Sequence, residues 1–63
     1  MCEYTAYLIQ DDDHQPQVLM ETVETVVPVA DGLKLTNLFG EQKTIRARIH
    51  AVELIDHKIY LKS

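Results

Sequence analysis

Between Gln17 and Val29 the chain reads Gln-Val-Leu-Met-Glu-Thr-Val-Glu-Thr-Val-Val-Pro-Val, with polar and apolar residues trading places roughly every second position. A two-residue period places one face of an extended chain in a core and the other in solvent. The Thr and Val that dominate the run are stiff at χ1 and disfavour a helix. The run therefore predicts a strand. Its alternation slips phase near Glu21-Thr22, which predicts a bend or bulge there. Pro28 has no N–H for a ladder and belongs at an edge or strand end.

The flanking segments repeat the pattern. Tyr4 to Ile9 is aromatic and β-branched, predicting a strand from about Glu3 to Gln10 that stops at the loop Asp11-Asp12-Asp13-His14-Gln15-Pro16. Ala30-Asp31-Gly32 is the sharpest turn signal, a hairpin in which Asp-Gly accepts positive φ at both central positions. Leu33 to Asn37 follows as a strand with Leu33 and Leu35 inward and Lys34 outward, and Gly40 supplies a left-handed residue to the turn Leu38-Phe39-Gly40-Glu41. Gln42 to Leu54 resumes the alternation, with Ile45, Ala47 and Ile49 on one face and Arg46, Arg48 and His50 on the other. A phase change near Ala51 returns Val52 and Leu54 to the core, Asp56-His57 makes the last turn, and Lys58 to Leu61 is the closing strand. No segment reads as helix. Short strands at a spacing of about 8–12 residues predict one all-β domain over residues 1–63, a small five- to six-stranded barrel of the SH3 or Sm-like kind. Closure removes sheet edges, and any edge left open is a natural place for a second copy to dock.

A chain of 63 residues buries only about 60% of its unfolded surface, so its core alone is marginal. Its one cysteine excludes an intramolecular disulfide, which leaves regular β-pairing, a metal or a partner subunit to supply the rest. The net charge of −4 opposes a generic phosphate-backbone binder. No run approaches the roughly 18 apolar residues of a membrane span, and the first residues lack the basic-then-apolar pattern of a signal peptide. The expected compartment is the cytoplasm, where an unpaired thiol stays reduced.

That thiol stands at Cys2, beside Met1, so a sulfur, the terminal amine and the intervening amide nitrogen lie within one chelate's reach. Thiolate sulfur with nitrogen donors in a flat, tetragonal arrangement suits Ni(II) or Cu(II) better than Mg or Ca. Free cysteine more commonly behaves as a small buried hydrophobe, but a residue beside a terminus is hard to bury. Cys2 and Met1 are the candidate metal ligands.

Met1-Cys2, Tyr7-Leu8, the Val23 to Val29 run, Asp31-Gly32, Leu38-Phe39-Gly40-Glu41 with Lys43 after it, and the closing His57-Lys58-Ile59-Tyr60-Leu61 together resemble the CooT family. These are small proteins associated with nickel delivery to carbon monoxide dehydrogenase. The likeness spans nearly the whole chain. It implies a β-barrel homodimer that binds Ni(II) through Cys2 and neighbouring backbone nitrogens, with the Met1 amine as an unsettled co-ligand. It also implies a chaperone role rather than catalysis, with a carbon monoxide dehydrogenase-like client.

Other constellations are weaker. His14 among Asp11, Asp12 and Asp13 has the residue types of a metal site and, more plainly, those of a solvated loop. His50 reads as a surface residue and His57 as a turn or interface residue. A Cys–His nucleophile would need a pocket of about 300 Å³ or more and an oxyanion hole, which a barrel this small has little room for; no enzyme is expected. The alternative function is a small RNA-binding barrel using Arg46, Arg48 and His50, with Lys43 nearby and Tyr4 or Tyr60 as stacking surfaces. The competing explanation of that face is an ordinary charged strand exterior, and nucleic acid is the less favoured partner.

Overall fold

The computed structural model describes residues 3–11 and 13–63. Six strands follow one another: β1 (Tyr4–Ile9), β2 (Gln17–Val29), β3 (Gly32–Asn37), β4 (Gln42–Ile45), β5 (Arg48–Glu53) and β6 (Lys58–Lys62). They form one sheet in the order β4-β3-β2-β1-β6-β5. Every pairing is antiparallel except that of β1 with β6, the first and last strands, which run parallel from Thr5 beside Lys58 to Ile9 beside Lys62. The all-β expectation holds, and β2 has the bounds its alternation predicts.

β2 is the strand that bends the sheet. Gln17 to Val23 pairs with β1 on one side, whereas Val23 to Val29 pairs with β3 on the other. Register shifts interrupt both ladders near the changeover, and Thr22 takes a φ of 52°, a conformation β-branched residues rarely adopt. A strand handed between neighbours through a bulge turns a corner. The phase slip at Glu21-Thr22 is that corner.

The barrel does not close. Among the described residues the edge strands β4 and β5 make no ladder with each other. They are instead consecutive in the chain, joined by Arg46-Ala47, where the Ala47 N–H donates to the Ile45 carbonyl at 2.9 Å in a γ-turn. The alternation from Gln42 to Leu54 is thus divided between two strands. Two edge strands that leave a tight pivot toward different partners, β3 and β6, cannot pair along their length. The result is a curled, flattened sheet with Cα extents of 32 × 29 × 15 Å.

The core is built from inward positions of the four middle strands: Ala6, Met20, Val23, Leu33, Leu35, Ile59 and Leu61. Leu35 and Leu61 are fully buried, each stabilising the fold by roughly 1.5–3 kcal/mol in area terms. Leu33 and Leu35 face inward as their alternation predicts. Val52 and Leu54 do not rejoin the core; both are exposed, because β5 is an edge strand with no further strand beside it among the described residues.

Two turns depend on glycine. Val29 pairs directly with Gly32, so the hairpin's central residues are Ala30 and Asp31, one position earlier than the Asp-Gly reading, and neither has positive φ. Gly32 is needed for a different reason: a Cβ there would overlap the Ile45 carbonyl oxygen, where the end of β4 closes on the start of β3. Gly40 takes a φ of 84° as expected. Beside it, buried Asn37 organises the β3–β4 turn. Its Oδ1 accepts from the Phe39 and Glu41 N–H groups at 3.0 and 2.9 Å, and its Nδ2 donates to the Glu41 carboxylate at 2.6 Å.

Candidate functional site

Met1 and Cys2, the expected metal ligands, lie outside the described residues. What is described is the end of the sheet from which β1 begins. Glu3 is exposed, and the ladder starts at Tyr4. The Thr5 N–H donates to the His57 carbonyl at 3.0 Å, and the Tyr4 ring meets the His57 ring edge-on at 5.2 Å. His57 holds a φ of 56°, a left-handed conformation that reverses the chain between β5 and β6. The start of β1 is thus fastened to the β5–β6 turn by one backbone bond and one aromatic contact. His57 lies in the turn, as expected of it.

The same end carries uncovered apolar surface. Ile55 is 94% exposed and Leu54 beside it 70%. On β5, Val52 stands opposite Ile59 and Ile49 opposite Leu61, so both share the core's face, yet they are 47% and 51% exposed. The core runs out beneath β5, where no described residue covers these side chains.

Elsewhere the acidic loop behaves as a solvated turn. The Asp11 carboxylate accepts from His14 Nδ1 at 2.7 Å and from the Asp13 and His14 N–H groups at 3.0 and 2.9 Å. The hydrogen bond to the His14 side chain lowers the Asp11 carboxyl below its ordinary value, outweighing an opposing effect of desolvation, and the Asp13 and His14 N–H groups add lesser lowering. Every donor comes from within three residues, the pattern of an Asx turn. Among the described residues no three His, Cys, Asp or Glu side chains gather where they could hold a metal ion.

The residues expected on a nucleic-acid face are dispersed. Arg46 lies in the pivot and Arg48 opens β5; with Lys62 and Asp31 they line a shallow hollow of about 350 Å³. Lys43 is not with them: its ammonium donates to the Leu19 carbonyl at 3.1 Å. Tyr4 is engaged with His57, while Tyr60 stacks on Tyr7 at 5.4 Å with the Lys58 ammonium 5.8 Å over the Tyr7 ring. His50 is exposed on β5, as expected.

Sequence reasoning missed one feature. A cleft of about 440 Å³ opens between the first half of β2, the Asn37–Phe39 corner and the start of β4. The only signal for it is the phase slip at Glu21-Thr22, which marks a corner without saying that a gap lies behind it.

A family model described as CO dehydrogenase accessory protein CooT matches residues 1–62. A crystal structure described as that of a candidate CooT from Carboxydothermus hydrogenoformans superposes with a TM-score of 0.87 at 38% identity, covering 97% of this chain and 95% of the other. No curated protein matches the chain.

Proposed function

This chain belongs to the CooT family of CO dehydrogenase accessory proteins, and we propose on that premise that it holds Ni(II) as cargo for delivery to such an enzyme. The ligands in this reading are the Cys2 thiolate and adjacent backbone nitrogens, with the Met1 amine as co-ligand. The observation that carries it is that the family match begins at residue 1 and so includes Met1-Cys2, the one place where this chain has a thiol. Its role is to bind and release, without a catalytic step, in the cytoplasm. A homodimer is part of the proposal. The apolar surface that runs along β5 from Ile49 and Val52 to Leu54 and Ile55, beside the His57 turn that bonds the start of β1, supports it by giving a second copy something to cover.

Nickel must displace the thiol proton and an amide proton, so affinity falls as pH drops. Titration with Ni(II), followed by ultraviolet absorption and native mass spectrometry, tests the reading. Cys2→Ser is expected to abolish the thiolate-to-nickel charge-transfer band and to weaken binding beyond the about 10–100-fold that loss of an outer-sphere partner costs, with the β circular-dichroism spectrum unchanged. A Cys2→Ser protein that keeps the band overturns it. The same mass spectra report whether the protein is dimeric.

A further inference from the structure

β2 has a length of open edge that faces into the molecule. β1 covers one side of it from Gln17 to Val23, but β3 covers the other side only from Val23 onward. From Gln17 to Glu21 no strand among the described residues pairs with the side of β2 that looks toward β4. The Thr22 carbonyl there accepts the Leu38 N–H at 2.9 Å, while the Leu19 carbonyl, at the bulge between Val18 and Met20, accepts the Lys43 ammonium at 3.1 Å. A charge at the end of a flexible stem is a replaceable partner, and Lys43 is exposed. The gap is the cleft of about 440 Å³, whose walls also carry Phe39, 77% exposed, and the carboxylates of Glu21 and Glu41.

These features define an occupant. Backbone donors and acceptors on an extended strand are matched by another extended chain, and five residues of edge pair with a partner run of about 17 Å. The Phe39 ring offers an apolar shelf beside that run. Two carboxylates against one ammonium leave the cleft negative, within a chain whose net charge is −4, so the charge that complements it is positive. The outer edges fit such a segment less well: β4 is four residues long, and β5 carries Arg48, a cation that repels a basic partner.

We propose that the Gln17–Glu21 edge is a docking site for a short extended segment of a partner protein in which apolar and basic residues alternate. The segment adds a strand where β3 ends, its N–H taking the Leu19 carbonyl from Lys43, with an apolar side chain on Phe39 and a cation toward Glu21. Docking of this kind goes beyond nickel binding and requires neither the metal nor Cys2.

The test is a nuclear magnetic resonance titration of metal-free, 15N-labelled protein with a short capped peptide of alternating Val and Lys. Amide shifts are expected at residues 17–22 and 38–43. Phe39→Ala and Glu21→Lys are each expected to weaken binding at least about fivefold, with folding checked by circular dichroism. Lys43→Ala is expected to bind at least as tightly as wild type, because it frees the Leu19 carbonyl. Methylating alternate backbone nitrogens of the peptide removes its strand donors and is expected to abolish binding. Cys2→Ser is expected to bind the peptide like wild type, which keeps failure of the nickel reading distinct from failure of this one.

Equal binding by the N-methylated peptide or by a Val-and-Glu peptide would overturn the proposal. So would shifts confined to β5, or no shift up to about 1 mM peptide. Concentration-dependent shifts at residues 17–22 without peptide would assign the edge to a second copy and overturn it equally.

Discussion

β6 and β5 are neighbours of similar length, paired antiparallel, and their facing residues are of the same kind. Ile59 and Leu61 of β6 are buried, while Val52 and Ile49, directly opposite them on β5, are about half exposed. The difference lies in what flanks each strand. β6 has β1 on its far side, and β5 has no further strand among the described residues. Pairing decides which way a side chain points, and burial needs a further neighbour that pairing cannot supply. For these two strands, equal hydrophobicity in sequence corresponds to unequal contributions to the stability of the single chain.

The largest test of that contrast is a pair of truncations. Leu61→Ala removes a fully buried side chain and is expected to cost about 2–5 kcal/mol in denaturant unfolding, whereas Ile49→Ser across the ladder is expected to stay within about 1 kcal/mol for the monomer. Comparable losses would mean that Ile49 is covered in solution, and a concentration-dependent loss would identify a second copy as the cover. A smaller effect sharpens the contrast from the ordered side. Asn37→Ala leaves the Phe39 and Glu41 N–H groups without their acceptor at the one buried polar side chain among the described residues, and is expected to cost about 1–3 kcal/mol.

The smallest effect belongs to the solvated loop. Asp11 has a depressed carboxyl in the folded chain, so its contribution is present above the ordinary carboxylate range and is lost as pH falls through the lowered folded value. Acid titration is expected to shift the Asp13 and His14 amides over that window while the unfolding midpoint of Asp11→Asn at neutral pH stays near that of wild type. A large change in global stability would show that the loop is coupled to the sheet.

Much of this architecture was legible from alternation and turn chemistry. The bounds of β2, the inward Leu33 and Leu35, the left-handed Gly40 and the irregularity near Ala51 all follow from local signals whose cause is local. The break at Arg46-Ala47 was hidden because Ile45, Ala47 and Ile49 keep a two-residue period straight through it, and period does not distinguish a straight strand from one folded over a pivot. Val52 was assigned the right face and the wrong environment, since the sequence carries no sign that β5 is an edge. Of the candidate site, donor chemistry at Cys2 could be read from residue types, but its assignment to nickel leaned on resemblance. The cleft beside Phe39 was invisible because it arises where β3 stops short of β2, a mismatch of lengths between strands that are not aligned in sequence.

The parallel pairing of β1 with β6 bears on how the protein can be handled. Both strands run the same way, so Tyr4 and Lys62 stand at opposite ends of the sheet, about 20 Å apart over six extended residues. A purification handle or fluorophore attached after Lys62 leaves the Tyr4–His57 end unobstructed, whereas one attached ahead of Tyr4 crowds that end.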